Sequence, residues 1–273
     1  MGYGFRPATD IPLDPASKIT GKYGLNPNPK VPLLTPETTD PAVANAIEKS
    51  WVDIKKPGIV TFVADTSGSM DGEKLNQAKD GLKRALDSMA ENNEVGLVTF
   101  SDSIHDTVSV APLTQNKFRL TNTINKMSAK GGTALYDAIK AGVEMTDSAA
   151  GGDNAIRAVV VLTDGQANQG QTHLDNLVKM TARSEVGIRE FSGLQDTGTD
   201  VQGRAVPKKD IIGSEPALPT KHQIQIFFIG IGTGTDAADM DVGRILAQAT
   251  GAEFQAVAEK DLANILELFS KYF

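Results

Sequence analysis

The sequence predicts an α/β fold: a doubly wound, mostly parallel central sheet with helices on both faces and one antiparallel edge strand. Three observations carry this expectation. Apolar runs such as GIVTFVA (58–64), IRAVVVLTD (156–164) and IQIFFIGIG (224–232) have the length of strands buried on both faces. Amphipathic segments with helical spacing alternate with those runs, as crossover connections require. VGLVTF (95–100) and HDTVSVAPL (105–113) are joined only by an SDS turn, which predicts an antiparallel hairpin.

The elements follow in order. Residues 1–57 read as an extended arm, because eight of the 13 prolines fall at or before Pro41 and proline fixes φ and removes a donor. A short helix is expected within it, through AVANAIEKSWVDI, with Trp51 as a packing anchor. The main domain spans 58–273. After the first strand, Leu75, Ala78, Leu82, Ala85, Leu86 and Met89 mark one face of a helix. The hairpin comes next, then helices over 117–127 and 134–147, the latter with Leu135, Ala138, Ile139, Gly142 and Val143 aligned. A strand over 156–164 precedes a helix over 173–183. Residues 184–222 are Gly/Pro-rich and weakly periodic, and read as an insertion joining a helix end to a strand start at the N-terminal edge of the sheet. The strand at 224–232, a helix at 240–250, a short strand AEFQAV and a closing helix with Leu262, Ile265, Leu266 and Phe269 aligned complete the domain.

Composition excludes some functions. A net charge of −7 and no visible basic patch argue against a nucleic-acid surface. No apolar run reaches the roughly 18 residues of a membrane span. The first ten residues, MGYGFRPATD, lack a signal-peptide apolar region, which fits either an intracellular protein or a trimmed piece of an exported one. With no cysteine there is neither a disulfide framework nor a thiolate metal site.

The chemistry gathers at the strand ends, where open α/β sheets bind ligands. Asp65, Ser67 and Ser69 follow the first strand. Thr133, in KGGTALYDA, stands before a helix, with Gly131 and Gly132 permitting close approach. Asp164, in VLTDGQAN, ends another strand. Two carboxylates and three hydroxyls form an all-oxygen set suited to a hard divalent cation, Mg²⁺ first, with Ca²⁺ or Mn²⁺ as alternatives. Neutral hydroxyls and one directly bound carboxylate leave such an ion short of negative charge. The second carboxylate then acts through water, and an open position favours an external carboxylate. Thr66 is expected to point away from the ion.

These motifs resemble a known family. DTSGSM matches the Asp-x-Ser-x-Ser signature of the von Willebrand factor type A domain. GGTALYDA and LTDGQAN are similar to the segments carrying that family's metal-binding threonine and second aspartate, in the same order. The resemblance covers about 58–273 and implies a Rossmann-like fold. It also implies a metal-ion-dependent adhesion site made of Asp65, Ser67, Ser69, Thr133 and Asp164, completed by an acidic side chain of a protein partner. The stretches GFRPA, KKPGIVTFVADTSGSM, VGLVTFSD and GGTALYDA are similar to bacterial type A domains, including those behind an extracellular solute-binding domain on membrane-anchored proteins. That implies a cell-surface location, with the arm connecting to a preceding domain. Specificity would come from the loops at 70–72, 101–103, 166–170 and 233–236.

Rival chemistries fit less well. Gly230, Gly232 and Gly234 do not make G-x-G-x-x-G, since 235 is Thr, so a dinucleotide site is disfavoured. A metal-dependent hydrolase would need Ser67 as nucleophile and a base, with Asp102 or Asp71 as nominees. Of His105, His173 and His222, only His173 is expected near the right edge, and no G-x-S-x-G elbow surrounds Ser67. Asp71, Glu73, Asp80 and Asp87 read as a solvated helix face. A non-catalytic, protein-binding domain is the expectation.

Overall fold

The computed structural model describes residues 56–152, 154–165, 167–183, 218–232, 240–270 and 272–273. The expected arm with its Trp51 helix, most of the expected insertion and the loop at 233–236 lie outside the described residues.

Six strands form one sheet: β1 (Gly58–Asp65), β2 (Glu94–Phe100), β3 (Ile104–Pro112), β4 (Ile156–Thr163), β5 (Ile224–Ile231) and β6 (Phe254–Val257), in the order β3-β2-β1-β4-β5-β6. Only the β2–β3 pair is antiparallel. The helices are α1 (Glu73–Ser88), α2 (Leu113–Lys126), α3 (Leu135–Ser148), α4 (Leu174–Thr181), α5 (Met240–Ala249) and α6 (Leu262–Ser270). The doubly wound expectation is met, with the antiparallel strand at the sheet edge.

Period-two alternation along the central strands explains the two cores. Val60, Phe62 and Ala64 of β1, with Ala158, Val160 and Leu162 of β4, face one side. There they meet Leu75, Leu82 and Leu86 of α1, Leu120 and Ile124 of α2, and Leu262 and Leu266 of α6. Val63, Val98, Val159 and Val161 face the other side, against Leu135, Ile139 and Val143 of α3, Leu174 and Leu177 of α4, and Ile245 and Leu246 of α5. All eight residues of β1 are buried, so its end delivers a side chain straight from the core to the edge.

One helix begins earlier than its periodicity indicated. α2 starts at Leu113, not near 117, because Pro112 ends β3 and stands at the helix N-cap. Leu113 and Asn116 are buried in its first turn, and the Asn116 amide donates to the carbonyls of Val95 and Ser109.

The far end of the sheet is braced by polar groups. Arg157, 3% exposed, donates to the carbonyls of Thr146 in the last turn of α3 and of Ala149 and Gly151 just beyond it. Asp147 accepts from the backbone N–H of Lys221 and His222, where the chain enters β5. Partial burial acts to raise the Asp147 carboxyl, but those N–H groups and the His222 ring outweigh it and leave it lowered.

Candidate metal centre

β1 and β4 are parallel neighbours whose connections leave in opposite directions, β1 towards β2 and β4 towards β5. The crevice between their C-terminal ends is therefore the switch point where this architecture opens. Asp65 is the last residue of β1, and Asp164 follows the last residue of β4.

Asp65 is fully buried. Its Oδ1 accepts the Ser67 N–H at 2.7 Å and its Oδ2 accepts the Thr163 hydroxyl at 2.5 Å. Burial pushes its carboxyl up to about 6; the bonds from Thr163 and Ser67 oppose the rise and the Asp164 charge adds to it.

The chain turns after Asp65 through a short 3₁₀ segment, Gly68–Met70, pinned by the buried Met70. Ser67 Oγ lies 3.1 Å from Ser69 Oγ, and the Ser69 hydroxyl donates to Asp164 Oδ1 at 2.7 Å. Lys74 Nζ takes the other oxygen, Asp164 Oδ2, also at 2.7 Å. Ser69 is exposed while Ser67 and Asp65 are buried, so the cluster opens to solvent at Ser69.

Thr133 arrives on a loop laced to its neighbours. Gly68 N–H donates to the Gly131 carbonyl, Lys130 N–H to that of Thr66, and Ala134 N–H to that of Ser101. Gly131 has φ 74°, and a Cβ there would stand 3.2 Å from Ser101 Oγ, so the expected close approach is real. The Thr133 carbonyl accepts the N–H groups of Asn168 and Gln169, while its own N–H donates to Asn168 Oδ1 at 2.8 Å. Thr133 is 3% exposed, and among the described residues nothing hydrogen-bonds its hydroxyl. Thr66 turns away, its hydroxyl donating to the Phe100 carbonyl at 2.8 Å.

Asp65, Ser67, Ser69 and Asp164 thus share one polar cluster, and Thr133 is fastened to the loop that follows Asp164. Among the described residues no three His, Cys, Asp or Glu side chains converge, so a cation here would depend on hydroxyl oxygens. Two carboxylates linked through serine hydroxyls, with a threonine hydroxyl that no described residue claims, fit a hard divalent ion.

Sequence reasoning missed three participants. Thr163 reads as an ordinary strand residue. Lys74 reads as part of a solvated helix. His105 was not expected at this edge, yet it lies there, because the hairpin reverses the chain and returns the start of β3 to the end of β2. His105 Nε2 sits 2.5 Å from Ser101 Oγ and 3.7 Å from Asp102 Oδ1. Both contacts use the same ring nitrogen, so no relay of the Ser-His-Asp kind is formed. Asp71, Glu73, Asp80 and Asp87 are exposed as expected, and of the loop at 166–170, Gln166 lies outside the described residues.

Comparison with known proteins agrees with the fold. The family model for the von Willebrand factor type A domain matches residues 60–270. A human protein, inter-alpha-trypsin inhibitor heavy chain H3, is 30% identical over 139 residues, 48% of this chain and 15% of that protein. The pig heavy chain H4 is 29% identical over 127 residues, 45% of this chain and 14% of the relative. The matched region is therefore a small fraction of those relatives' length. Among solved structures, a von Willebrand factor type A protein from Catenulispora acidiphila superposes with a TM-score of 0.53 at 17% identity, covering 79% of this chain and 42% of that one. The corresponding domain of the type V pili tip protein Mfa5 from Porphyromonas gingivalis gives 0.52 at 15% identity, covering 80% and 95%.

Proposed function

The chain belongs to the von Willebrand factor type A domain family, and on that premise we propose that it is a non-catalytic, divalent-metal-dependent protein-binding module. Asp65, Ser67, Ser69, Thr133 and Asp164 would hold the ion, Mg²⁺ in the first instance. When bound, the ion supplies a positive centre with an open position for a carboxylate of a partner protein. The protein's residues prepare that place: Thr163 and the Ser67 N–H orient Asp65, Ser69 links the loop after β1 to Asp164, and Thr133 offers its hydroxyl from the loop that precedes α3.

The observation that carries this reading is the Thr133 hydroxyl, which no described residue hydrogen-bonds, on a largely buried residue whose loop is fastened to the one that follows Asp164. The non-catalytic part is supported by Ser67 itself, whose hydroxyl faces Ser69 and no histidine. A cell-surface, bacterial setting and attachment to a solute-binding domain belong to the same proposal, supported only by the flanking resemblance.

Thermal unfolding in EDTA and in Mg²⁺ tests it. The midpoint should rise by several degrees with Mg²⁺, since an ion that binds only the folded state stabilises by mass action. Asp65→Ala should abolish the shift. Equal midpoints for the unaltered protein with and without Mg²⁺, Ca²⁺ or Mn²⁺ would sink the metal reading. Turnover of generic esters that disappears in Ser67→Ala would replace it with a hydrolase.

A further inference from the structure

Lys74 breaks a local rule. It is the second residue of α1, where the helix macrodipole favours anions and disfavours an ammonium. Such violations are expected where a side chain serves something beyond its own helix. Its Nζ reaches 2.7 Å from Asp164 Oδ2, and the two side chains differ sharply in exposure, 25% for Lys74 and 0% for Asp164. This is therefore no ordinary surface ion pair, which would contribute little. A fully buried carboxylate needs a counter-charge, and here the chain supplies one.

We propose that Lys74 is the site's own cation: it neutralises Asp164 when no divalent ion is bound, and it weakens divalent binding by competing for that carboxylate. The inference rests on the metal reading above. Two carboxylates and one ammonium leave one net negative charge at the mouth instead of two. An arriving divalent ion meets Asp164 with one oxygen on Ser69 and the other on Lys74, and must share it. The resulting assembly carries more positive charge than the five oxygen residues alone would give, which sharpens its demand for an external anion. Lys74 keeps part of its side chain exposed while it holds Asp164.

Calorimetric titration with Mg²⁺ of the intact chain and of Lys74→Gln, Lys74→Arg and Asp65→Ala tests the proposal, beside unfolding midpoints in EDTA. Gln keeps a hydrogen-bond donor and removes the charge, so folding should survive; Arg keeps the charge. Lys74→Gln should bind Mg²⁺ about tenfold tighter, the scale expected for removing one unit charge near a partly solvated divalent ion. It should also unfold at a lower midpoint in EDTA, while Lys74→Arg behaves like the unaltered protein in both measurements. Unchanged or weaker Mg²⁺ binding by Lys74→Gln, with binding by the unaltered protein intact and lost in Asp65→Ala, overturns the role of Lys74 and leaves the metal site standing. Absence of Mg²⁺ binding by the unaltered protein overturns both.

Discussion

The Thr163 hydroxyl donates to Asp65 Oδ2 at 2.5 Å, joining the last residue of β4 to the last residue of β1 at the strand ends. Removing that hydroxyl leaves a buried carboxylate oxygen without its partner. Thr163→Val should destabilise the protein by about 1–3 kcal/mol at neutral pH, as expected for an unsatisfied buried acceptor. It should also raise the Asp65 carboxyl above its present value of about 6. Chemical denaturation and the carbonyl NMR titration of Asp65 in EDTA check the two effects separately; a change in neither refutes the assignment.

The elevated Asp65 carboxyl makes stability depend on pH in a definite direction. The folded state holds the proton more tightly than the unfolded chain, so without metal, stability falls as pH rises from the ordinary aspartate value of 3.8 to about 6. The loss is on the order of 3 kcal/mol for a shift of this size. Asp65→Asn should therefore be more stable than the unaltered protein in EDTA at pH 7, and equal to it below about pH 4. Its amide is accommodated because the Thr163 hydroxyl can turn to the Gly165 carbonyl 3.3 Å away. Parallel stability curves for the two proteins across pH 4–7 would contradict the argument.

Thr133→Val separates ligand from scaffold. The change keeps the shape and the backbone bonds to Asn168 and Gln169, and deletes only the unclaimed hydroxyl. Stability in EDTA should change by no more than about 0.5 kcal/mol, since no hydrogen bond is lost. The Mg²⁺-induced rise in melting midpoint should largely disappear. A full Mg²⁺ response in this variant would remove Thr133 from the site.

Arg157 lies at the opposite edge of the sheet, where its guanidinium satisfies three carbonyls. Arg157→Met should cost about 2–4 kcal/mol, because one buried and two partly buried carbonyls lose charge-assisted bonds. The Mg²⁺ response should persist, which calorimetry on the variant would show. Loss of Mg²⁺ binding would mean that the two edges are not independent.

Much of this was legible in the sequence, for a physical reason. Strands buried on both faces read as unbroken apolar runs, and helices covering them show one apolar stripe, so β1, β4, β5, α1 and α3 announce themselves. Asp65, Ser67, Ser69 and Asp164 were visible because their segments cluster hydroxyls and acids where a strand ends, and Thr133 because a Gly-Gly pair precedes it at a helix start. Thr163 was not, since a buried threonine in a strand carries no mark of its partner on another strand. Lys74 was hidden by the general solubility of helix surfaces. His105 was misplaced because its position depends on the turn of the β2–β3 hairpin, and periodicity says nothing of which edge a turn returns to.

The loops at the metal edge are laced by main-chain bonds: Thr66 to Phe100, Gly68 to Gly131, Lys130 to Thr66, Ala134 to Ser101, and Asn168 to Thr133. None of these bonds uses a side chain. The exposed residues on this rim, such as Asp71, Asp102 and Ser103, can therefore be exchanged while the frame beneath them stays put. That separation makes the rim suited to retargeting by design: a library confined to those positions would search for new partners on an unaltered chassis.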